Sequence, residues 1–309
     1  MNFRLVRRGR DWGWRLFLAG CLAVGAHGEG MEADEKGWRH PFFFVHLSDP
    51  QLGMDSHNAK LEPESGRFKL AVGKINRLRP AFVVIGGDMI NAPPGRNQNP
   101  AQVEEFKRLA GQLDQSIPLH LVAGNHEIDP MTPETLAWYR QTFGPDWYAF
   151  QHGGCHFIVL NSMILRDPQK VPDQTRLETG WLESELKAAR ENGSVMTFVF
   201  QHQPFFLMSA DEKDSYFNFS MDRRKELLGI LKKWNVKAVF FGHLHNTLAS
   251  RDGDLECYIT GSVGKALGPL ARCGMAIVKV YRQRLTYDFY PLESVPEKVE
   301  LGASEEKPQ

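Results

Sequence analysis

The sequence predicts an α/β fold, in which buried strands alternate with amphipathic helices. Three observations carry this prediction. Short apolar, β-rich runs such as Phe82-Val83-Val84-Ile85 end in glycine and polar residues, as do strands of a sheet covered on both faces. Stretches with helical apolar spacing lie between these runs, and that rhythm implies parallel pairing through helical crossovers. Five strand ends carry carboxylate, amide or imidazole side chains, where ligand-binding residues of such sheets collect.

Residues 42–47 form the first strand expected, and Pro50 forces the chain out of the sheet at Asp49, because proline cannot continue a central strand. Phe68, Leu70, Ala71, Val72, Ile75 and Leu78 recur at helical spacing over 64–78. The strand ending at Asp88 follows, then a Pro/Asn/Gly loop over 92–100. A second helix is expected over 102–113 and a third strand over 119–123, running into Gly124-Asn125-His126-Glu127. Residues 135–143 read as a short helix, with strands over 147–151 and 156–160 joined through Gly153-Gly154. The helix over 176–191 shows Leu177, Trp181, Leu182, Leu186 and Ala189 along one side, with Gly193 to end it. The strand over 195–200 runs into Gln201-His202, and 204–219 read as a loop over the site. A helix over 221–234 precedes the strand over 236–241, which runs into Gly242-His243-Leu244-His245. Strands over 257–260, 275–281 and 285–290 are expected to form antiparallel hairpins. Residues 29–39 read as a polar linker, and 293–309 as a disordered polar tail with no apolar period.

The chain has 309 residues, and its 37 Lys and Arg balance its 37 Asp and Glu. Such a balance gives no electrostatic footprint for nucleic acid, so no nucleic-acid partner is expected. Cys21, Cys155, Cys257 and Cys273 are widely spaced, and no disulfide framework is expected. Arg4, Arg7, Arg8, Arg10 and Arg15 precede an uncharged apolar run over 16–26, as in a secretory signal peptide. The run is too short for a membrane span. Residues 1–28 are therefore expected to direct export to the periplasm or medium; a basic leader on a cytoplasmic protein is the alternative. Leu18-Ala19-Gly20-Cys21 resembles the lipobox of bacterial lipoproteins, which would make a lipid on Cys21 the one link to a membrane. Oligomeric state is not legible.

Asp49, Gln51, Asp88, Asn125, His126, His202, His243 and His245 follow five separate strands, and equivalent ends of one sheet would gather them into one concave patch. Carboxylate, amide and imidazole donors suit Mn, Fe or Zn, and the absence of thiolates argues against a structural zinc site. Two such metals sit about 3.5–4 Å apart and share a bridging ligand; the carboxylate of Asp88 is the natural bridge. In an extended Gly242-His243-Leu244-His245 segment the two imidazoles converge only if the chain turns.

Asp49-Pro50-Gln51, Gly86-Gly87-Asp88, Gly124-Asn125-His126-Glu127, Gln201-His202 and Gly242-His243-Leu244-His245 resemble the five blocks of the calcineurin-like metallophosphoesterases, over residues 40–292. Asp49-Pro50-Gln51-Leu52-Gly53, Asn91-Ala92-Pro93-Pro94-Gly95 and Tyr216-Phe217-Asn218-Phe219-Ser220 resemble the complete-S-transactivated-protein branch, described as serine/threonine protein phosphatases. The resemblance implies a four-layer α-β-β-α sandwich of two mixed sheets. It also implies a first metal on Asp49, Asp88 and His245 and a second on Asp88, Asn125, His202 and His243. His126 would stand beside the leaving-group oxygen, with Glu127 supporting its ring as a second catalytic group. Gln51 stands where the family pattern has a histidine ligand; its amide oxygen is neutral and harder, favouring Mn, Mg or Fe(II). The reaction implied is hydrolysis of a phosphomonoester, on a small molecule or a phosphoprotein, by hydroxide generated at two divalent metals. A phosphodiesterase acting on nucleotides or lipid head groups is one alternative. A catalytically weak binding protein, in which Gln51 has lost the first metal, is another. The loops over 92–100 and 204–219 are expected to set specificity, with Phe205, Phe206, Tyr216 and Phe219 around the substrate.

Overall fold

A computed structural model describes residues 37–302. Its elements run β1 (Phe42–Leu47), α1 (Glu62–Leu78), β2 (Val83–Ile85), α2 (Asn99–Ala110), β3 (Leu119–Leu121), α3 (Asn125–Ile128), α4 (Pro133–Phe143), β4 (Tyr148–His152), β5 (Cys155–Val159), α5 (Ser162–Arg166), α6 (Pro172–Glu191), β6 (Thr197–Phe200), α7 (Met221–Lys233), β7 (Ala238–Phe241), β8 (Leu248–Asp252), β9 (Leu255–Ile259), β10 (Gly274–Val280) and β11 (Leu285–Pro291). One sheet has the order β11-β10-β1-β2-β3 and the other β4-β5-β6-β7-β9-β8. Parallel pairs β1–β2, β2–β3, β5–β6, β6–β7 and β7–β9 lie beside antiparallel partners, so both sheets are mixed.

Strand β1 is buried along its whole length, and its alternation shows why. Phe42 and Phe44 pack with Phe157, Phe198, Phe200 and Phe240 of the other sheet, while Phe43, Val45 and Leu47 pack with α1 and α2 residues. A strand between two apolar layers needs no polar face. On the far side, Val199 and Phe241 face Leu182 and Leu186 of α6 and Leu227, Leu228 and Leu231 of α7. Helices, two sheets and helices therefore stack as the four-layer α-β-β-α sandwich expected.

Four expectations are corrected. The ligand-bearing strands belong to two sheets and not one: β1, β2 and β3 to the first, β6 and β7 to the second. β9 is paired antiparallel with β8 but parallel with β7, so it extends a sheet as well as closing a hairpin. β8 went unread because Leu248–Asp252 alternates between half-buried and exposed residues, which is the weak pattern of an edge strand. The polar tail and linker are shorter than expected. Val295 is buried in the core beside α1, and Trp38 packs on Phe42 with ring centroids 6.1 Å apart; single apolar residues make no period that a sequence can show. The leader over 1–28, Cys21 and residues 303–309 lie outside the described residues. No helix among the described residues is long and apolar enough to cross a membrane. Cys155, Cys257 and Cys273 are free thiols.

Candidate metal centre

Each expected metal residue sits two to four residues past a strand, where the backbone turns out of its sheet. Asp49, Gln51, Asp88, His243 and His245 all have φ between 38° and 67°. Non-glycine residues rarely adopt this left-handed conformation, and it concentrates at functional sites. Five of the nine such residues in the described chain fall here. At His243 and His245 the consequence is direct, because two left-handed residues fold the Gly242 to His245 segment so that both imidazoles turn inward. Glycine is needed at Gly87, where φ is 97° and a Cβ would strike the His202 ring, and at Gly124, where it would strike Asp88.

The ligand atoms of Asp49, Asp88 and His245 lie within 4.8 Å of one another, as do those of Asp88, His202 and His243. Asp88 is common to both groups. His245 Nε2 is 3.2 Å from Asp49 Oδ1, and His202 Nε2 is 3.2 Å from Asp88 Oδ2 and 3.1 Å from Asn125 Oδ1. The opposite ring nitrogens are anchored on backbone carbonyls: His202 Nδ1 on Gly86 at 2.7 Å and His245 Nδ1 on Lys265 at 2.6 Å. This anchoring orients Nε2 inward and is the usual support of metal-ligating histidines. Six of the seven expected metal residues are therefore gathered at one place, and Gln51 N donates to Asp88 O at 2.8 Å beside them.

The donor set fits divalent cations. His243 Nε2 and Gln51 Oε1 are buried without a hydrogen-bond partner, an expensive condition unless a ligand completes them. Burial, followed by the neighbouring His202, lowers the His243 imidazole to about 3 and keeps it neutral, the form that can ligate. Burial opposes charge on His202 also, but Asp88 and then Asp49 outweigh it and hold that ring up to about 10. For Asp88, burial is outweighed by His202 and then His126, and its carboxyl falls well below the usual range. Carboxylates this deeply buried demand positive charge nearby.

One expected role is revised by the geometry. Glu127 makes its hydrogen bonds to backbone: its carboxylate accepts from Asp88 N at 3.1 Å, Gly124 N at 3.0 Å and Ile90 N at 3.1 Å. It ties the loop after β2 to the loop after β3 and is a positioning residue. Burial and then the charge of Asp88 raise its carboxyl to about 8. His126 is held instead by Asn91 O, 2.7 Å from Nδ1, and by Gln51 Nε2, 2.8 Å from Nε2. Gln51 Nε2 also donates to Asn91 Oδ1 at 3.0 Å, so its nitrogen faces His126 while Oε1 stays buried without a partner.

The loop over 204–219 reaches the site with fewer aromatics than expected. Phe205, Phe206 and Phe219 are buried in the core against α7; only Tyr216 of the four stands at the mouth. Sequence reasoning missed the segment after β9. Ser262 Oγ donates to Asp49 O at 2.7 Å, and Lys265 supplies the carbonyl under His245. Its one signal is the small-residue run Gly261-Ser262-Val263-Gly264 following a strand.

The family model described as calcineurin-like phosphoesterase matches residues 44–247. The chain is 34% identical over 296 residues to a serine/threonine-protein phosphatase CPPED1 of Bos taurus, covering 91% of this chain and 94% of the relative. It is 35% identical over 277 residues to the protein of that name from Homo sapiens, covering 85% and 88%. Among solved structures it is similar to a dimetal phosphatase from Danio rerio (TM-score 0.61, 16% identity, 81% of this chain and 96% of that chain). It is also similar to the purple acid phosphatase PPD1 of yellow lupin (TM-score 0.62, 14% identity, 82% and 52%); at such identity these two speak for the fold alone. Together with two ligand groups that share Asp88, this places the chain in the calcineurin-like phosphoesterase family, as a phosphatase built around a dinuclear divalent metal centre.

Proposed function

We propose that this phosphatase hydrolyses phosphomonoesters on serine or threonine side chains of proteins, using Mn, Fe or Mg in preference to Zn. The observation that carries the reading is the pair of ligand groups joined at Asp88; the printed names of the relatives supply the substrate class. Asp49, Asp88 and His245 would hold one cation, with Gln51 Oε1 available to it, and Asp88, Asn125, His202 and His243 would hold the other. When bound, two such cations make water nucleophilic at neutral pH and draw charge from the phosphoryl oxygens. His126 binds neither cation. Its ring is fixed through Nδ1 on Asn91 O; to protonate the departing alkoxide oxygen as the ester P–O bond breaks and water's oxygen bonds to phosphorus, Nε2 must first take up a proton and exchange its contact with Gln51 Nε2 for that oxygen. The products are the free alcohol and inorganic phosphate. Asn91, just before the loop over 92–100, lies against the site through His126 and Gln51. Residues 1–28 are proposed as an export leader, which N-terminal sequencing of the mature protein tests: retention of Met1 would overturn it.

The reading is tested with protein reconstituted in Mn, Fe(II), Mg or Zn and assayed in parallel on an aryl phosphate, a bis-aryl phosphate and phosphoserine or phosphothreonine peptides. Monoester turnover dependent on Mn, Fe or Mg is expected. Turnover of the diester alone would assign the site to phosphodiester chemistry, and fewer than one metal per chain with no turnover would assign it to binding.

A further inference from the structure

Two exposed aromatic side chains stand at the mouth of the metal centre. Tyr216 is 61% exposed and Phe217 39%, although every other aromatic of their loop is buried. The Tyr216 ring centroid lies 5.2 Å from that of His243 and 5.2 Å from that of Phe217, and Phe217 lies 5.9 Å from His243. The guanidinium of Arg166 sits 5.9 Å from the Tyr216 ring centroid. Solvent-exposed aromatics beside buried ligands are a cost unless something covers them.

The loop that carries them is tied down. Arg224 is fully buried and donates to Ala210 O, Glu212 O and Phe219 O. The Glu212 carboxylate accepts from Leu207 N, Met208 N and Ser209 N. Asn218 accepts from Ser215 N and donates to Glu212 and Lys213 O. Helix α5, which ends at Arg166, is joined to the His202 loop by Ser162 Oγ accepting from Gln203 N, and to α7 by Arg223 donating to Leu165 O. The two rings and the guanidinium are thus presented on fixed supports, the condition under which a contact surface binds without first ordering itself.

We propose that Tyr216 and Phe217 form a platform for a large apolar side chain immediately flanking the phosphorylated residue of a peptide substrate, with Arg166 pairing to the phosphate. The platform adjoins His243, so its occupant lies within one residue's reach of the phosphorus. A flat or branched apolar side chain would cover both rings, and a guanidinium fork matches phosphate oxygens. This rests on the phosphoprotein reading above and narrows it to a class of sequence.

The test uses the Mn-loaded full chain and two phosphothreonine peptides that differ only in Phe or Ala beside the phosphothreonine. The corresponding phosphonate peptides, which cannot be hydrolysed, are titrated by calorimetry. For the unaltered protein the Phe peptide is expected to be favoured about tenfold in kcat/KM, and its phosphonate about tenfold in Kd. Tyr216→Ala and Phe217→Ala each bring both ratios toward one, and Arg166→Ala weakens both phosphonates together while preserving the ratio. A Kd ratio near one in the unaltered protein, or one untouched by both aromatic substitutions, overturns the platform. Absence of turnover with the Kd ratio intact would count against the phosphatase reading and leave the platform standing.

Discussion

Replacing Glu127 with Gln separates two accounts of what that residue does. Its carboxylate is fully buried and accepts three backbone N–H bonds, from Gly124, Asp88 and Ile90 at 3.0–3.1 Å. Glutamine preserves the shape, but its amide nitrogen would face donors. Placing Oε1 at the shared position keeps the bonds from Asp88 and Gly124 and leaves Ile90 N unpaired; the reverse placement forfeits two. A buried donor left unpaired costs about 1–3 kcal/mol, so the expected loss is about 1–3 kcal/mol. It falls on the backbone that aims Asp88 and Asn125, so metal affinity should drop about 10–100-fold, as for other supports of ligand residues.

The assay is a denaturant midpoint on the metal-free protein, followed by calorimetric Mn titration of the same preparation. If Glu127 served the His126 ring instead, Glu127→Gln would lower kcat while stability and Mn affinity stayed at their original values. That pattern would refute the positioning argument.

His126→Ala should lower kcat about 10²–10⁴-fold with two metals per chain still found by elemental analysis, whereas Asn125→Ala should reduce the metal count. Phe44 is fully buried, stacked on Phe82 at 4.8 Å and edge-on to Phe157, Phe200 and Phe240. Phe44→Ala should cost about 3–5 kcal/mol in a urea unfolding curve. His120, stacked 3.6 Å from Phe150, is lowered by burial from 6.5 to about 4. Between those values the unfolded chain holds more protons, so stability is complete above pH 6.5 and falls as pH drops toward 4. The loss is on the order of 3 kcal/mol. His120→Phe, which keeps the stacking, should flatten that segment of a stability-versus-pH curve, and an unchanged slope would assign the acid sensitivity elsewhere.

The strand cores were legible because burial on both faces leaves a continuous apolar run, as in Phe42–Leu47. The number of sheets was not legible from those runs. Phe44 and Phe200 look alike in sequence whether they face helices or a second sheet; only the resemblance to a known family distinguished the two. Helix α5 escaped notice because Ser162–Arg166 is a single turn capped by Asn161, too short for a periodic signal.

The site divides in the same way, and the division has a physical cause. Ligands must be of a few chemical types and must sit where chains leave a sheet, so Asp49, Asp88, His202, His243 and His245 announce themselves. The groups that aim them are mostly backbone atoms: Gly86 O beneath His202, Lys265 O beneath His245, and the three amides gathered by Glu127. A carbonyl has no letter in a sequence, and the identity of Lys265 is irrelevant to the oxygen it lends. Glu127 was visible as a carboxylate next to His126, and adjacency in the chain suggested a partnership. Placement at the start of a short helix sends consecutive side chains in different directions, so the neighbour in sequence serves the backbone of Asp88 while His126 is served by Asn91 and Gln51, 35 and 75 residues away.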